Sequence, residues 1–139
     1  MTKRLIVCGA PCAGKSTYLR EKFEPGDLVY DFDTVHQALS GLGSHLHSDA
    51  IRPYVIAARD AIFAQLEAHQ QQPFIAITSS PKKAAVQALA DRLAAEVVFL
   101  EVSAVDAHER ADLDSRPEVW HSYIDNWFRN SDFVPAEKV

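Results

Sequence analysis

Cysteine is scarce in this chain: Cys8 and Cys12 are the only two, four residues apart. Spaced across a strand and the loop that follows it, they make no disulfide framework and point to a reducing compartment, the cytoplasm. Long apolar runs are also missing. Nothing approaches the roughly 20 residues of a membrane span, and the run after Met1-Thr2-Lys3-Arg4 is too short for a signal peptide, so neither membrane association nor export is expected. Basic charge is in deficit, 14 Lys and Arg against 19 Asp and Glu, and the formal net charge of −5 excludes a strong global attraction to polyanions. A nucleic-acid partner would therefore need a local basic groove. Repeats, low-complexity tracts and linkers are absent too. The 139 residues, 47% of them hydrophobic, are enough for one core, so a single domain over 1–139 is expected.

The order of elements is legible from apolar runs and breakers. Leu5-Ile6-Val7-Cys8, closed by Gly9, reads as a strand buried on both faces. A helix over Lys15 to Lys22 follows, stopped at Pro25-Gly26 before a second strand, Asp27 to Asp31. Asp33-Thr34 is a candidate cap for a helix over Val35 to Ser40, and Gly41-Leu42-Gly43-Ser44 opens a stretch to Ser48 that reads as mobile. From Asp49, Ile51, Tyr54, Val55, Ala58, Ile62, Phe63 and Leu66 repeat at helical spacing. Phe74 to Thr78 is a third strand, Pro81 opens a helix through Leu93, and Val97 to Val102 is a fourth strand. Short helices over Val105 to Leu113 and Val119 to Arg129, the second with Pro117 at its first position, precede a polar tail of ten residues. Alternating strands and helices predict a three-layer α/β fold with a mainly parallel four-stranded sheet and its site at the carboxyl ends of the strands.

Gly9-Ala10-Pro11-Cys12-Ala13-Gly14-Lys15-Ser16 fits the Walker A spacing, with the strand and the helix that the motif requires on either side. Its glycines let backbone N–H groups converge on phosphate oxygens, Lys15 is placed for the β- and γ-phosphates, and Ser16 for Mg²⁺. Gly9 to Thr17 are thus the candidate ATP-binding residues, and the layered fold is expected to be of the P-loop NTPase, nucleotide-kinase-like type. Cys12, near a helix start, is a place where a thiol pKa can be lowered, but the preferred reading is a small tolerated loop residue.

Strand three ends Ile77-Thr78-Ser79-Ser80 without the carboxylate usual in motor-type ATPases, and guanine-reading motifs are lacking. Acidic residues stand instead at the end of strand two, Asp31-Phe32-Asp33, where parallel topology turns them toward the phosphate loop. This pattern suits phosphoryl transfer to a hydroxyl: Asp33 as the base, and Asp31 with Ser16 on the metal side. Arg110 and Arg116, in a lid over about 110–117, are the candidate cations for the migrating group; the alternative is pairing with Asp112 and Asp114. Arg52 and Arg59, two turns apart on one helix, and His36 are candidates for acceptor contact, though a solvated face also explains the arginines. His45-x-His47 suits acceptor contact better than zinc, and Trp120, Tyr123, Trp127 and Phe128 have the spacing of core packing.

Three segments, Gly9 to Ser16, Asp31-Phe32-Asp33-Thr34-Val35-His36-Gln37 and Arg110 to Pro117, with the closing helix around Ile124 to Phe128, resemble the kinase domain of bacteriophage polynucleotide kinases and their small P-loop relatives. The resemblance implies an ATP- and Mg²⁺-dependent kinase with Asp33 as catalytic aspartate, Lys15 and Ser16 in the phosphate loop, and Arg110 and Arg116 in the lid. It also implies a nucleic-acid acceptor, a 5′-hydroxyl or a hydroxymethylated pyrimidine in DNA, in the cytoplasm of a bacterium or phage-infected host. A kinase of a nucleotide, sugar or other small molecule, and a nucleotide-binding module without kinase activity, are the alternatives. The chain departs from the family at His36, where an arginine is usual, and at Thr78-Ser79-Ser80, where an acidic residue is common.

Overall fold

Alternation along the strands sets the layers of the fold, which a computed structural model describes over residues 2–133. Strand β1 (Arg4–Cys8) pairs in parallel with β3 (Phe74–Thr78) and β4 (Glu96–Phe99), and β2 (Leu28–Tyr30) pairs in parallel with β3, giving the order β2-β3-β1-β4. On one face Ile6, Cys8, Phe74 and Ala76 bury against Phe63 and Leu66 of α3 (Arg52–Ala68), Val86 and Ala90 of α4 (Lys83–Arg92) and Leu93 just past its end. On the other, Val7, Ile75 and Ile77 meet Tyr18 and Leu19 of α1 (Lys15–Lys22). Successive residues of β1 thus serve opposite layers, which is why its sequence is continuously apolar. A third cluster packs Ala10 and Ala13 of the phosphate loop against Ala107 and Ala111 of α5 (Ala104–Leu113) and Ile124 and Trp127 of α6 (Val119–Asn130). Small residues on α5 let it lie close to the loop.

Several boundaries differ from the sequence reading. Helix α2 (Phe32–Ser40) begins before Val35, because Asp31 and not Asp33 is its cap: the Asp31 side chain accepts the Asp33 backbone N–H at 3.1 Å. Helix α6 starts at Val119, after Pro117, and α4 at Lys83, after Pro81; each proline lies in the approach rather than in the helix. Strand β4 stops at Phe99, where its partner β1 ends at Cys8; Leu100 N–H still donates to the Cys8 carbonyl at 2.9 Å, and Glu101 and Val102 lie beyond the strand. The 41–48 segment is pinned, not loose. Ser48 N–H donates to His36 Nε2 at 2.9 Å, and Trp120 Nε1–H donates to the His45 carbonyl at 2.9 Å. The end of the expected tail, 134–139, lies outside the described residues. Among the described residues no helix is long and apolar enough to cross a membrane.

Arg4 is a structural residue that its sequence context does not announce. It is 5% exposed, and its guanidinium donates to the carbonyls of Leu93 (2.8 Å), Leu66 (2.7 Å), Gln72 (2.7 Å) and His69 (3.1 Å). One side chain of β1 thereby satisfies the last carbonyls of α3 and ties them to the end of α4.

Candidate active site

The phosphate loop leaves β1 at Gly9 and enters α1 at Lys15. At Gly9, φ is +152° and an added Cβ would stand 2.6 Å from the Leu100 carbonyl oxygen, so no side chain fits. Cys12 and Gly14 have φ of 65° and 96°, the positive values that curl successive N–H groups inward. The N-terminal end of α1 adds its field to that concavity.

Lys15 is buried, and its Nζ donates to the carbonyls of Gly9 (2.7 Å) and Ala10 (2.8 Å). Burial pushes its pKa down to about 8, although Asp31 and then Cys12 and Asp33 act in the opposite direction. The Cys12 thiol is pushed up by burial against the smaller pulls of Arg116 and Lys15, which agrees with an ordinary loop residue rather than a lowered, redox-sensitive thiol.

Asp31, at the end of β2, faces this loop. Its Oδ2 accepts from Ser16 Oγ at 3.3 Å and from Thr34 Oγ1 at 3.4 Å, while Oδ1 takes the cap bond. Burial, then the neighbouring Asp33, pushes the Asp31 carboxyl up. Asp33 lies in the first turn of α2 rather than in an extended segment, and the cap bond holds the two acids together. A hydroxyl beside a carboxylate is the all-oxygen donor set that suits a small hard cation kept partly hydrated. Among the described residues no three His, Cys, Asp or Glu side chains converge on a point, so such an ion would rely on nucleotide oxygens and water for its other ligands.

These groups line an open cleft of about 1390 Å³ that also takes in Arg52, Arg59, Arg110 and Arg116. Arg110 Nη1 donates to the Cys12 carbonyl at 3.1 Å, which sets this lid arginine directly on the phosphate loop. Arg116 donates to Asp114 at 2.9 Å and lies over the Trp120 ring at 4.4 Å, whereas Asp112 pairs with His121 instead of an arginine. Arg52 lies over Phe32 at 5.4 Å, and Arg59 donates to its neighbour Asp60. His36 is corrected. It is 1% exposed, its Nε2 accepts from Ser48 N–H and Ser40 Oγ is 3.4 Å from Nδ1, so it anchors the loop and offers nothing to an acceptor.

Three features of the site escape sequence reasoning. His47 Nε2 is 2.7 Å from Asp33 Oδ1, a contact made across a loop whose path no local pattern fixes. Trp120 reaches His45 across 75 residues. Tyr30 is 2% exposed, and its hydroxyl, which has no partner among the described residues, belongs to a residue that lines the cleft; burial pushes its pKa up to about 12.

No family model matches the chain, and no curated protein does. Solved structures do. A chain of the Pnkp1/Rnl/Hen1 RNA repair complex aligns with a TM-score of 0.61 at 18% identity, over 99% of this chain and 49% of that one. A gluconokinase from Sinorhizobium meliloti 1021 gives 0.59 at 19% identity, over 94% of this chain and 75% of its own. Shikimate kinase from Acinetobacter baumannii, in complex with shikimate, gives 0.57 at 15% identity, over 99% and 86%. The chain spans about half the length of the repair-complex chain it matches. At these identities the likeness is one of fold, and together with the parallel sheet and the phosphate loop it gives the chain the α/β fold of the P-loop kinases.

Proposed function

We propose that this chain is an ATP- and Mg²⁺-dependent kinase that transfers the γ-phosphoryl group to a hydroxyl on nucleic acid, either a polynucleotide 5′-hydroxyl or a hydroxymethylated base in DNA. One observation carries the kinase reading. Asp31 meets Ser16 at 3.3 Å, and Asp33 stands beside it in the same cleft as the phosphate loop. One carboxylate is on the metal side, and the second is the base proposed for the acceptor, its Oδ1 meeting His47 in the empty cleft.

Gly9 to Thr17 cradle the triphosphate, and Lys15 exchanges its two loop carbonyls for phosphate oxygens. Ser16 and, through water, Asp31 are the residues that would hold Mg²⁺, which supplies neutralisation of the β- and γ-phosphate charge. Asp33 accepts the proton of the acceptor hydroxyl as its oxygen bonds to the γ-phosphorus and the bond to the bridging oxygen of ADP breaks. Lys15, Arg110 and Arg116 stabilise charge on the migrating group. Arg52 and Arg59 supply the local basic surface that the net charge of −5 requires of a nucleic-acid reading.

A specific observation favours a second reading, a small-molecule kinase. Where the phage family uses an arginine this chain has His36, buried under the 41–48 loop, and the alignment covers more of the gluconokinase and shikimate kinase chains than of the repair-complex chain. Transfer of labelled γ-phosphate to oligonucleotides bearing free 5′-hydroxyls or hydroxymethylated bases tests the first reading. Labelling is expected, with Asp33→Asn lowering it about 10²- to 10⁴-fold. No labelling of either oligonucleotide, with ADP release on a sugar or nucleotide panel, would establish the second. An unchanged rate in Asp33→Asn would remove the base assignment from both.

A further inference from the structure

The group nearest Asp33 on its cleft side belongs to the loop between α2 and α3. His47 Nε2 stands 2.7 Å from Asp33 Oδ1, and the carboxylate is 33% exposed. The imidazole is held among rings: stacked on Tyr123 at 5.9 Å, edge-on to Phe32 at 5.9 Å and tilted to Trp120 at 5.7 Å. On one side of His47 the chain is fastened to buried His36 by the Ser48 N–H. On the other, the His45 carbonyl accepts from Trp120 Nε1–H, and His45 Nε2 lies 3.2 Å from Asp114 Oδ2. His45 has φ of 66°, a left-handed conformation that a non-glycine residue keeps only when its surroundings impose it. Two anchors and a strained residue are spent on keeping one ring against one carboxylate.

A base that can take a proton from an acceptor hydroxyl can also take one from water, which is smaller and always present. The wasteful step is balanced: a water oxygen bonds to the γ-phosphorus, the bond to the bridging oxygen breaks, and the water proton passes to Asp33, leaving ADP and phosphate. With the His47 ring against Asp33 Oδ1 at 2.7 Å, that oxygen is covered and water cannot reach it to hand over its proton.

We propose that His47 is a specificity residue that covers Asp33 while the acceptor side of the cleft is empty, and that an acceptor seated beside Phe32 and Tyr123 displaces it, so that hydrolysis of ATP is held below transfer. This rests on the role proposed above for Asp33. It also gives the lid a part, since the ring that tethers the loop, Trp120, is the one over which Arg116 lies. His47 acts through Asp33 and is a positioning residue.

The experiment is ADP release from Mg²⁺–ATP with no acceptor, on the full chain. His47→Phe keeps a ring among its neighbours and removes the donor; it is expected to raise hydrolysis about tenfold, as loss of a hydrogen bond to a charged group implies. The double variant Asp33→Asn/His47→Phe is expected to return to the wild-type rate or below, and binding of a non-hydrolysable ATP analogue to stay constant. A merely structural role for His47 would not produce a gain. Hydrolysis in His47→Phe at or below the wild-type rate, with analogue binding intact, overturns the inference, and so does an equal rise in the single and double variants. Should His47→Phe misfold by circular dichroism, Trp120→Phe removes the indole N–H that tethers the His45 carbonyl and trims the ring that packs on His47, while leaving His47 itself in place. A smaller rise is expected there, and its absence is equally fatal. Failure of the underlying reading is recognisable separately: Asp33→Asn alone would then leave phosphoryl transfer intact in the labelling assay.

Discussion

Replacing Lys15 by methionine is expected to stabilise the nucleotide-free protein while abolishing its chemistry. Lys15 is 8% exposed, and burial lowers its pKa from 10.5 to about 8. That drop corresponds to about 3 kcal/mol by which the folded state disfavours the charged form. Methionine fills the same space without the charge, but forfeits the bonds to the Gly9 and Ala10 carbonyls. The net gain is therefore about 1–3 kcal/mol, or about 4–12 °C in Tm for a domain of this size. The pH dependence fixes the sign. Below pH 8 both the folded and unfolded chains hold the proton and the full cost applies. Between about 8 and 10.5 the folded chain releases the proton and the unfolded chain keeps it, so wild-type stability rises with pH; above 10.5 the cost is gone. Thermal melts of both proteins without nucleotide, from pH 7 to 10, should show Lys15→Met the more stable at pH 7 and the gap closing above pH 8. Lys15→Met melting below wild type at pH 7, or a gap independent of pH, would refute the reasoning. The cost exists because a free ammonium is kept ready where phosphate will arrive.

Arg4→Met strands the carbonyls of Leu66, His69, Gln72 and Leu93 and should cost about 3–5 kcal/mol, seen as a fall in Tm of about 10–20 °C by circular dichroism. Gly9→Ala sets a Cβ against the Leu100 carbonyl at 2.6 Å and should weaken ATP-analogue binding at least about tenfold by isothermal titration. Asp31→Asn keeps the α2 cap, since asparagine caps as well as aspartate, but removes the charge beside Ser16. Its Tm should hold or rise, because burial and Asp33 already disfavour the Asp31 carboxylate, while the Mg²⁺ concentration for half-maximal activity increases.

Sequence alone determined the layers and the phosphate loop, because both are written in local chemistry. A continuously apolar β1 has to be buried on both faces, and glycines at positions 9 and 14 allow the positive φ values that curl the loop. The acidic pair at the end of β2 was legible as a pair, but which aspartate caps α2 was not. Both Asp31 and Asp33 can cap, and only the path of the chain out of β2 chose between them. His36 shows the same limit: a polar residue in a helical pattern reads as a surface group until packing shows it buried under the 41–48 loop. What the tertiary structure decided is everything that joins distant segments. Arg4 reaches carbonyls 62 to 89 residues away, Arg110 reaches Cys12 across 98, and the His47–Asp33 contact and the Trp120 tether hold the 41–48 loop over the cleft. Side-chain hydrogen bonds of this range leave no periodicity or spacing in the sequence, since only the folded backbone sets which donor meets which acceptor.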